Sequence, residues 1–317
     1  MASVVKFSKN LECAYAIVIP TCNRPKLLLD LLRNLGEVNE DDFIVIVVDS
    51  SDTPLLASEF NKFEFEVNYL STKIKSAAIQ RNLGMELLSD QNIEPQFLVF
   101  LDDDIRIGKE YLSNLSKSAE LENVAGCSGL ALNPGKELRQ LPRGLSGLFH
   151  RIFLLDSFVD GKLLKSGVNI PIRKYKEGVY KSDWLIGCSL WNYGKVKAIR
   201  FEQDFYGSSL GEDVIFSVKA GSAGKLLVDS NVILEHLESE IQRPDKSEFW
   251  KMWVANRYRL ISSQPNPILS KFAFVWANLG QQLVLYVTSG KNEESHIAER
   301  FVIIRATFRC IFKSSKT

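Results

Sequence analysis

The chain has 317 residues, 45% of them apolar and 24% charged, enough to bury a sizeable core in one large domain or two modest ones. A formal net charge of +1 excludes a polyanion binder that works by bulk electrostatics, so no nucleic-acid partner is expected. The longest apolar stretch, Phe272–Val287, is interrupted by Asn278, Gln281 and Gln282, which argues against a spanning helix.

The first twenty residues show no signal-peptide pattern. Tyr15–Pro20 is a short apolar run closed by the polar turn Thr21-Cys22-Asn23-Arg24-Pro25. Apolar positions 27, 28, 31, 32 and 35 then predict a helix over Leu27–Leu35, stopped by Gly36. Phe43–Val48 is a β-branched strand ending at Asp49, and Phe63–Tyr69 alternates like a second strand. Ser76–Leu88 has helical period, and Phe97–Leu101 is a buried strand that runs into three aspartates. Short apolar strands separated by helices imply an α/β fold, a mostly parallel sheet covered by helices on both faces. Ligands of such sheets bind at the carboxyl ends of the strands, where Thr21, Asp49 and Asp102 are all expected. Residues 133–182, with Pro134, Pro142, Pro171 and many Gly and Lys, read as long surface loops that carry substrate contacts. From Glu248 onward the sequence turns helical, with a break at Pro265 and Pro267. Cys13, Cys22, Cys127, Cys188 and Cys310 are odd in number, widely spaced and without a CxxC pair, so they read as reduced thiols of a cytoplasmic protein.

Three places carry chemistry. If the strand stays extended through Asp102-Asp103-Asp104, then Asp102 and Asp104 share a face and Asp103 takes the other. Two converging carboxylates suit Mg²⁺ or Mn²⁺, which prefer hard oxygen ligands; an Asx turn or helix cap uses the same residues. Glu212 and Asp213 follow Gly211 at the start of a helical pattern, either as dipole-favoured acids of a first turn or as a general base with its partner. His236 ends the apolar run Val232–Leu234, as a structural imidazole or a further metal ligand.

The order of these pieces resembles the family 2 glycosyltransferases of the GT-A fold. The matching segments are AIVIPTCNRPKLL (16–28), VVDSSD (47–52), QRNLG (80–84), FLVFLDDDI (97–105), DWLIGCS (183–189), GEDVIF (211–216) and ILEH (233–236). The resemblance implies a GT-A catalytic domain over residues 1–247, its nucleotide-sugar half at about 14–105 and its acceptor half at about 106–247. Residues 248–317 are then a helical extension. It also implies an inverting, metal-dependent transfer of a sugar from a nucleotide diphosphate carrier, by default a UDP-sugar, to a hydroxyl of a glycan or lipid-linked glycan. Pro20, Thr21 and Asn23 would line the nucleotide cleft. Asp49 would bind the base, and Arg81 the base or phosphate. Asp102 and Asp103 would belong to the nucleotide-sugar site. Asp104 and His236 would hold Mn²⁺ or Mg²⁺, Asp213 would act as base with Glu212 as partner, and Asp183, Trp184 and Gly187 would shape the acceptor and sugar pocket. No QxxRW-like motif follows the acid pair, which points away from a processive enzyme. A sugar-1-phosphate nucleotidyltransferase should show a Gly-rich basic loop where this chain has PTCNRP. A non-catalytic carbohydrate-binding protein has no need of Asp104 and Asp213 together, and no GxGxxG follows a strand as a dinucleotide oxidoreductase requires.

The charge is uneven. From Lys251 to the end there are ten Lys and Arg against three Glu, a net of +7, leaving −6 for residues 1–250. Ile297, Phe301, Ile304, Phe308 and Ile311 form an apolar stripe at helical spacing, with Arg300, Arg305, Arg309 and Lys313 beside or opposite it. Such a helix can lie on an anionic membrane surface, which gives residues 296–317 as a peripheral contact. The alternatives are packing on the catalytic domain or on a second copy in a homodimer.

Overall fold

Seven consecutive buried residues, Tyr15–Thr21, form β1, and seven more, Phe43–Asp49, form β2. Runs of Ile and Val without alternation are what a strand covered on both faces requires. In this computed structural model, residues 13–40, 42–133, 144–173, 177–204, 210–237, 245–262, 266–288 and 293–313 are described. The sequence reading at Pro134, Pro142 and Pro265, and the side chains of Ile297 and Lys313, lie outside them.

Between β1 and β2 runs α1 (Pro25–Leu35), opened by a proline whose fixed φ suits a first turn and anchored by buried Leu28, Leu31, Leu32 and Leu35. The third strand, β3, spans Val67–Ser71, later than the alternation of Phe63–Tyr69 suggests. Phe63 and Phe65 instead pack as a ring pair, with Phe65 against Phe43. Next come α2 (Ala77–Asp90), capped by the Ser76 hydroxyl accepting from the Ile79 amide at 3.4 Å, and β4 (Phe97–Phe100). These are followed by β5 (Ile105–Ile107), α3 (Tyr111–Ala119) and β6 (Val124–Leu132).

The segment 133–182, read as loops, contains the helix α4 (Gly144–Ile152) and the strand β7 (Val179–Ser182). Then follow β8 (Ser189–Asn192), the short α5 (Tyr193–Val196), α6 (Glu212–Ala220) and β9 (Lys225–His236). The described strands make one sheet in the order β3-β2-β1-β4-β8-β6-β9-β5, with β7 pairing β9. The β3-β2-β1-β4 part is parallel, and β8 enters antiparallel beside β4. Register sets Thr21 opposite Asp49, so both side chains reach the same sheet edge.

Two compact units emerge, residues 1–138 with 175–239 and residues 139–174 with 240–317. The first holds the sheet and its core, from Ile17, Ile19, Val45 and Val47 to Leu190 and Leu234. The second contains α4 together with α7 (Lys246–Ser262), α8 (Pro267–Thr288) and α9 (Glu293–Lys313), the last three packed around Val254, Ile261, Phe274 and Ile303. Its buried Arg257 donates to the Asn278 amide oxygen at 3.0 Å and the Ser166 carbonyl at 2.7 Å, and lies over the Trp253 ring. Burial pulls that guanidinium down to about 9. All five cysteines are free thiols. Among the described residues no helix is long and apolar enough to cross a membrane.

The helix α2 meets β1 where Gly84 faces Val18, and a Cβ on Gly84 would stand 2.5 Å from a Val18 methyl. Val18 is stiff in its strand and cannot turn aside. Gly84→Ala is therefore expected to destabilise the fold by about 1–3 kcal/mol, the scale of overpacking a filled core. Chemical denaturation checks this, and an unchanged midpoint would show that the contact yields.

Candidate functional site

The edge formed by the ends of β1, β2 and β4 gathers most of the polar residues singled out in the sequence. Gln80, on the first turn of α2, donates its amide to the carbonyls of Thr21 at 2.7 Å and Val48 at 2.6 Å, tying the ends of β1 and β2 together. Pro20 and Thr21 close β1, both buried. Asn23 sits at φ 55, a conformation asparagine tolerates, and its side chain exchanges hydrogen bonds with Asp52 at 2.9 and 2.8 Å. Asp49 is buried and accepts from the Tyr69 hydroxyl and from the Ser51 amide at 2.7 Å. Burial and the Asp49 carboxylate together push the Tyr69 phenol up.

Past β4 the chain does not stay extended. Asp103 and Asp104 occupy a turn between β4 and β5. Asp103 points inward, where Thr21 Oγ1 donates to it at 2.6 Å and Arg24 at 3.0 Å. Burial pushes its carboxyl up to about 6, held back by those two donors. Asp102 and Asp104 nevertheless converge as expected. Their oxygens and a ring nitrogen of His236 all lie within 4.8 Å of one another. The imidazole is delivered by register: β5 pairs antiparallel with β9, Ile105 opposite His236, which leaves His236 Nε2 3.5 Å from Asp104. Two hard carboxylates and one imidazole, open on one side, fit a divalent cation.

A second acid pair faces this cluster through one arginine. Arg81, 2% exposed, donates Nη2 to Asp102 at 2.7 Å and Nη1 to Glu212. Burial opposes its charge, but Asp102 and Glu212 outweigh it and raise its pKa. The rings of Phe100 and Phe201 flank the guanidinium. Glu212 opens α6 behind Gly211, whose φ of 91 is a left-handed turn that suits glycine. Burial pushes the Glu212 carboxyl up and Asp213 adds to the push, while the Arg81 guanidinium in contact with it pulls it back toward the ionised form. Asp213, half-buried, is raised by burial to about 6, while the Val214 amide, donating to it at 2.8 Å, holds it down.

The loop 183–188 completes the edge. Gly187 abuts the clamp, since a Cβ there would stand 3.0 Å from Arg81 Nη2 and 3.5 Å from an Asp102 oxygen. Asp183 and Trp184 begin this loop, which is fixed to α6 where the Leu185 amide donates to the Ser217 hydroxyl at 2.9 Å. Sequence reasoning did not single out Arg24, Gln80, Tyr69 or Cys188, whose sulfur accepts from the Asp102 amide at 3.4 Å. Arg24, Gln80 and Cys188 lie inside quoted motifs; Tyr69 acts only through three-dimensional neighbours.

The sequence model of glycosyl transferase family 2 matches residues 16–174, half of the chain. The chain belongs to that family. Its structure is similar to S. aureus TarS in complex with UDP-GlcNAc, at 17% identity, covering 93% of this chain and 81% of that one with a TM-score of 0.57. A longer TarS structure is covered for 46% of its length, at 18% identity, 88% of this chain and a TM-score of 0.55. The mannosyltransferase PcManGT from Pyrobaculum calidifontis, in complex with GDP-Man and Mn²⁺, is similar at 13% identity, 95% of this chain, 88% of that one and a TM-score of 0.58. No curated protein matches the chain by sequence. The family 2 protein is a glycosyltransferase with the mixed α/β architecture of GT-A enzymes and a helical C-terminal part.

The Arg81 clamp yields a stability test. Arg81→Met is expected to cost about 3–5 kcal/mol, the range for orphaning a buried ionic partner. Adding Glu212→Gln to that variant should recover part of the loss by removing the orphaned acid. Urea denaturation at neutral pH reads both, and no loss in Arg81→Met would remove the clamp from the account.

Proposed function

We propose that this family 2 glycosyltransferase carries out a non-processive, inverting transfer of a sugar from a nucleotide diphosphate sugar to an acceptor hydroxyl. The observation that carries the reading is the convergence of Asp102, Asp104 and His236 beside the acid pair, with Arg81 joining the two groups. Five carboxyls, Asp102, Asp103, Asp104, Glu212 and Asp213, face two guanidiniums, Arg24 and Arg81, an excess of negative charge suited to a dication. Asp104 and His236 with Asp102 would hold it, as Mn²⁺ or Mg²⁺; PcManGT, solved with Mn²⁺, supports the first. Once bound, the ion would stabilise charge on the departing diphosphate.

The other steps belong to the side chains. Pro20, Thr21, Asn23 and Asp49 edge the cleft for the nucleotide, at the strand ends where α/β sheets take their ligands. The donor is a UDP-sugar by default; the UDP-GlcNAc bound to TarS supports it, and the GDP-Man bound to PcManGT keeps a GDP-sugar as the alternative. Asp213 takes the proton of the attacking hydroxyl, and a carboxylate raised to about 6 is a stronger base than an ordinary aspartate while still ionised at neutral pH. Glu212 holds Arg81 in place. A single base and a single displacement invert the sugar carbon. Asp183, Trp184 and Gly187 border the acceptor side. The acceptor is a glycan or lipid-linked glycan met from the cytoplasm, with residues 296–317 among the parts that approach the membrane.

Activity should fall as pH drops through about 6, because Asp213 must be deprotonated to act and its folded pKa lies there. Asp213→Asn is expected to lower kcat by about 10²–10⁴-fold with donor affinity retained. A pH profile of kcat/KM with a donor panel reads both, and an equal loss of donor affinity would assign Asp213 to binding instead.

Asp104→Asn removes an anionic ligand from a cluster at the sheet edge. Titration calorimetry with Mn²⁺ alone should show binding to the parent protein and at least about a tenfold loss in the variant, a cost typical of disturbed metal sites. Equal affinity in the two proteins would take the ion away from this cluster.

A further inference from the structure

The helix α8 is turned inside out for a protein in water. Its exposed side carries Ile268, Phe272, Trp276, Leu279, Leu283 and Tyr286, at spacings of four, four, three, four and three, with Phe272 72% exposed. Its buried side holds Ser270, Asn278 and Gln282 beside Phe274 and Ala277. Asn278 is used there, accepting from Arg257 at 3.0 Å and donating to Thr307 at 3.0 Å. Neither polar atom of the Gln282 amide has a hydrogen-bond partner among the described residues, and burying such a group is unfavourable. In water alone the hydrophobic effect would favour the opposite roll of this helix.

The neighbouring α9 extends the same surface. Ile303 and Ala306 pack inward, whereas Phe301, Ile304, Phe308 and Phe312 are exposed, Phe308 by 58%. Of the stripe read in the sequence, Phe301, Ile304 and Phe308 therefore face outward, while Ile311 is partly buried against the inner core. Arg300 of α9 lies 5.1 Å over the ring of Tyr286 and joins the two helices' exposed rows. Trp276 stacks on Phe153 and donates to the Ile152 carbonyl at 2.7 Å, which brings exposed Leu148 and Ile152 of α4 alongside.

Charge selects the occupant. Residues 266–288 contain one charged side chain, Lys271. From His296 to Lys313 the one acid is Glu299, and it is buried against Lys246 at 3.3 Å and the Trp250 indole at 3.1 Å. Exposed Arg305 and Arg309 remain among the aromatics. A two-fold pairing of this face would bring these arginines toward their own copies, with no exposed acid among the described residues of the face to answer them. An anionic bilayer surface accepts both features, taking aromatics into the interface and basic groups at the headgroups.

We infer that the outward face of α8 and α9, with the end of α4, is an interface for an anionic lipid surface. This deepens the proposed reaction by giving the enzyme a place beside a lipid-linked acceptor, and its test does not depend on turnover. The full chain is mixed with phosphatidylcholine vesicles, with or without an equal part of phosphatidylglycerol, and co-sedimented at low and high salt. The expected result is binding to the anionic vesicles that weakens at high salt. Phe272→Glu combined with Phe308→Glu should abolish it, with thermal melting and Mn²⁺ binding retained. Arg305→Gln with Arg309→Gln should weaken it by about 30-fold, the scale for two basic residues near an anionic leaflet. Parent protein left in the supernatant would overturn the inference, as would undiminished binding by the Phe272/Phe308 variant. A parent dimer that Phe272→Glu converts to monomer would overturn it too, by identifying a second copy as the occupant.

Discussion

A guanidinium with almost no access to water needs partners that replace its lost hydration, and anions replace it most strongly. Arg81 meets that demand with Asp102 on one side and Glu212 on the other. Those two acids come from the end of β4 and the start of α6, while Arg81 itself rides on α2. One side chain thus fixes three elements relative to one another. Because Asp102 also belongs to the carboxylate–imidazole cluster and Glu212 adjoins Asp213, the same clamp sets the spacing between the two parts of the proposed chemistry. The aromatic wall of Phe100, Phe201 and Phe216 keeps water from the clamp, which strengthens each of its ion pairs.

Legibility of the fold in the sequence followed the locality of the cause. The strands β1, β2 and β4 are apolar runs closed by polar residues, and α1 and α2 keep a helical period, so each could be read from a short window. Where distant contacts decide, the window fails. In β6, glycines at 126 and 129 stand where Trp191 and the Val232 carbonyl press close, which gives a central strand a composition poor in strand formers. The four-residue β8 is too short to show a period. The α4 segment is rich in glycine and reads as loop, yet it forms a helix within the second compact unit.

The candidate site divides in the same way. That Asp102 and Asp104 converge was legible from their spacing at a strand end, while His236 joined Asp104 only through the resemblance. That Asp103 would turn inward was less so, because it depends on the chain bending after β4 and on Arg24 and Thr21, which are 79 and 82 residues away. On α9 the apolar stripe was plain, but periodicity alone cannot distinguish a face that packs inward from one that faces out. Ile303 and Ala306, off the stripe, took the inner side.

The pairing of β5 with β9 has a consequence for how the molecule comes into being. Asp104 sits before a three-residue strand whose one sheet partner among the described residues is β9, more than a hundred residues later in the chain. During synthesis, the β3-β2-β1-β4 portion can assemble as soon as it emerges, since its contacts are comparatively near in sequence. The imidazole arrives only with the last strand. A nascent chain therefore passes through a stage with a formed nucleotide-side sheet and no closed carboxylate–imidazole trio, and contacts of such long sequence separation form slowly. Competence for chemistry in this sense waits for the second half of the chain rather than belonging to the first half alone.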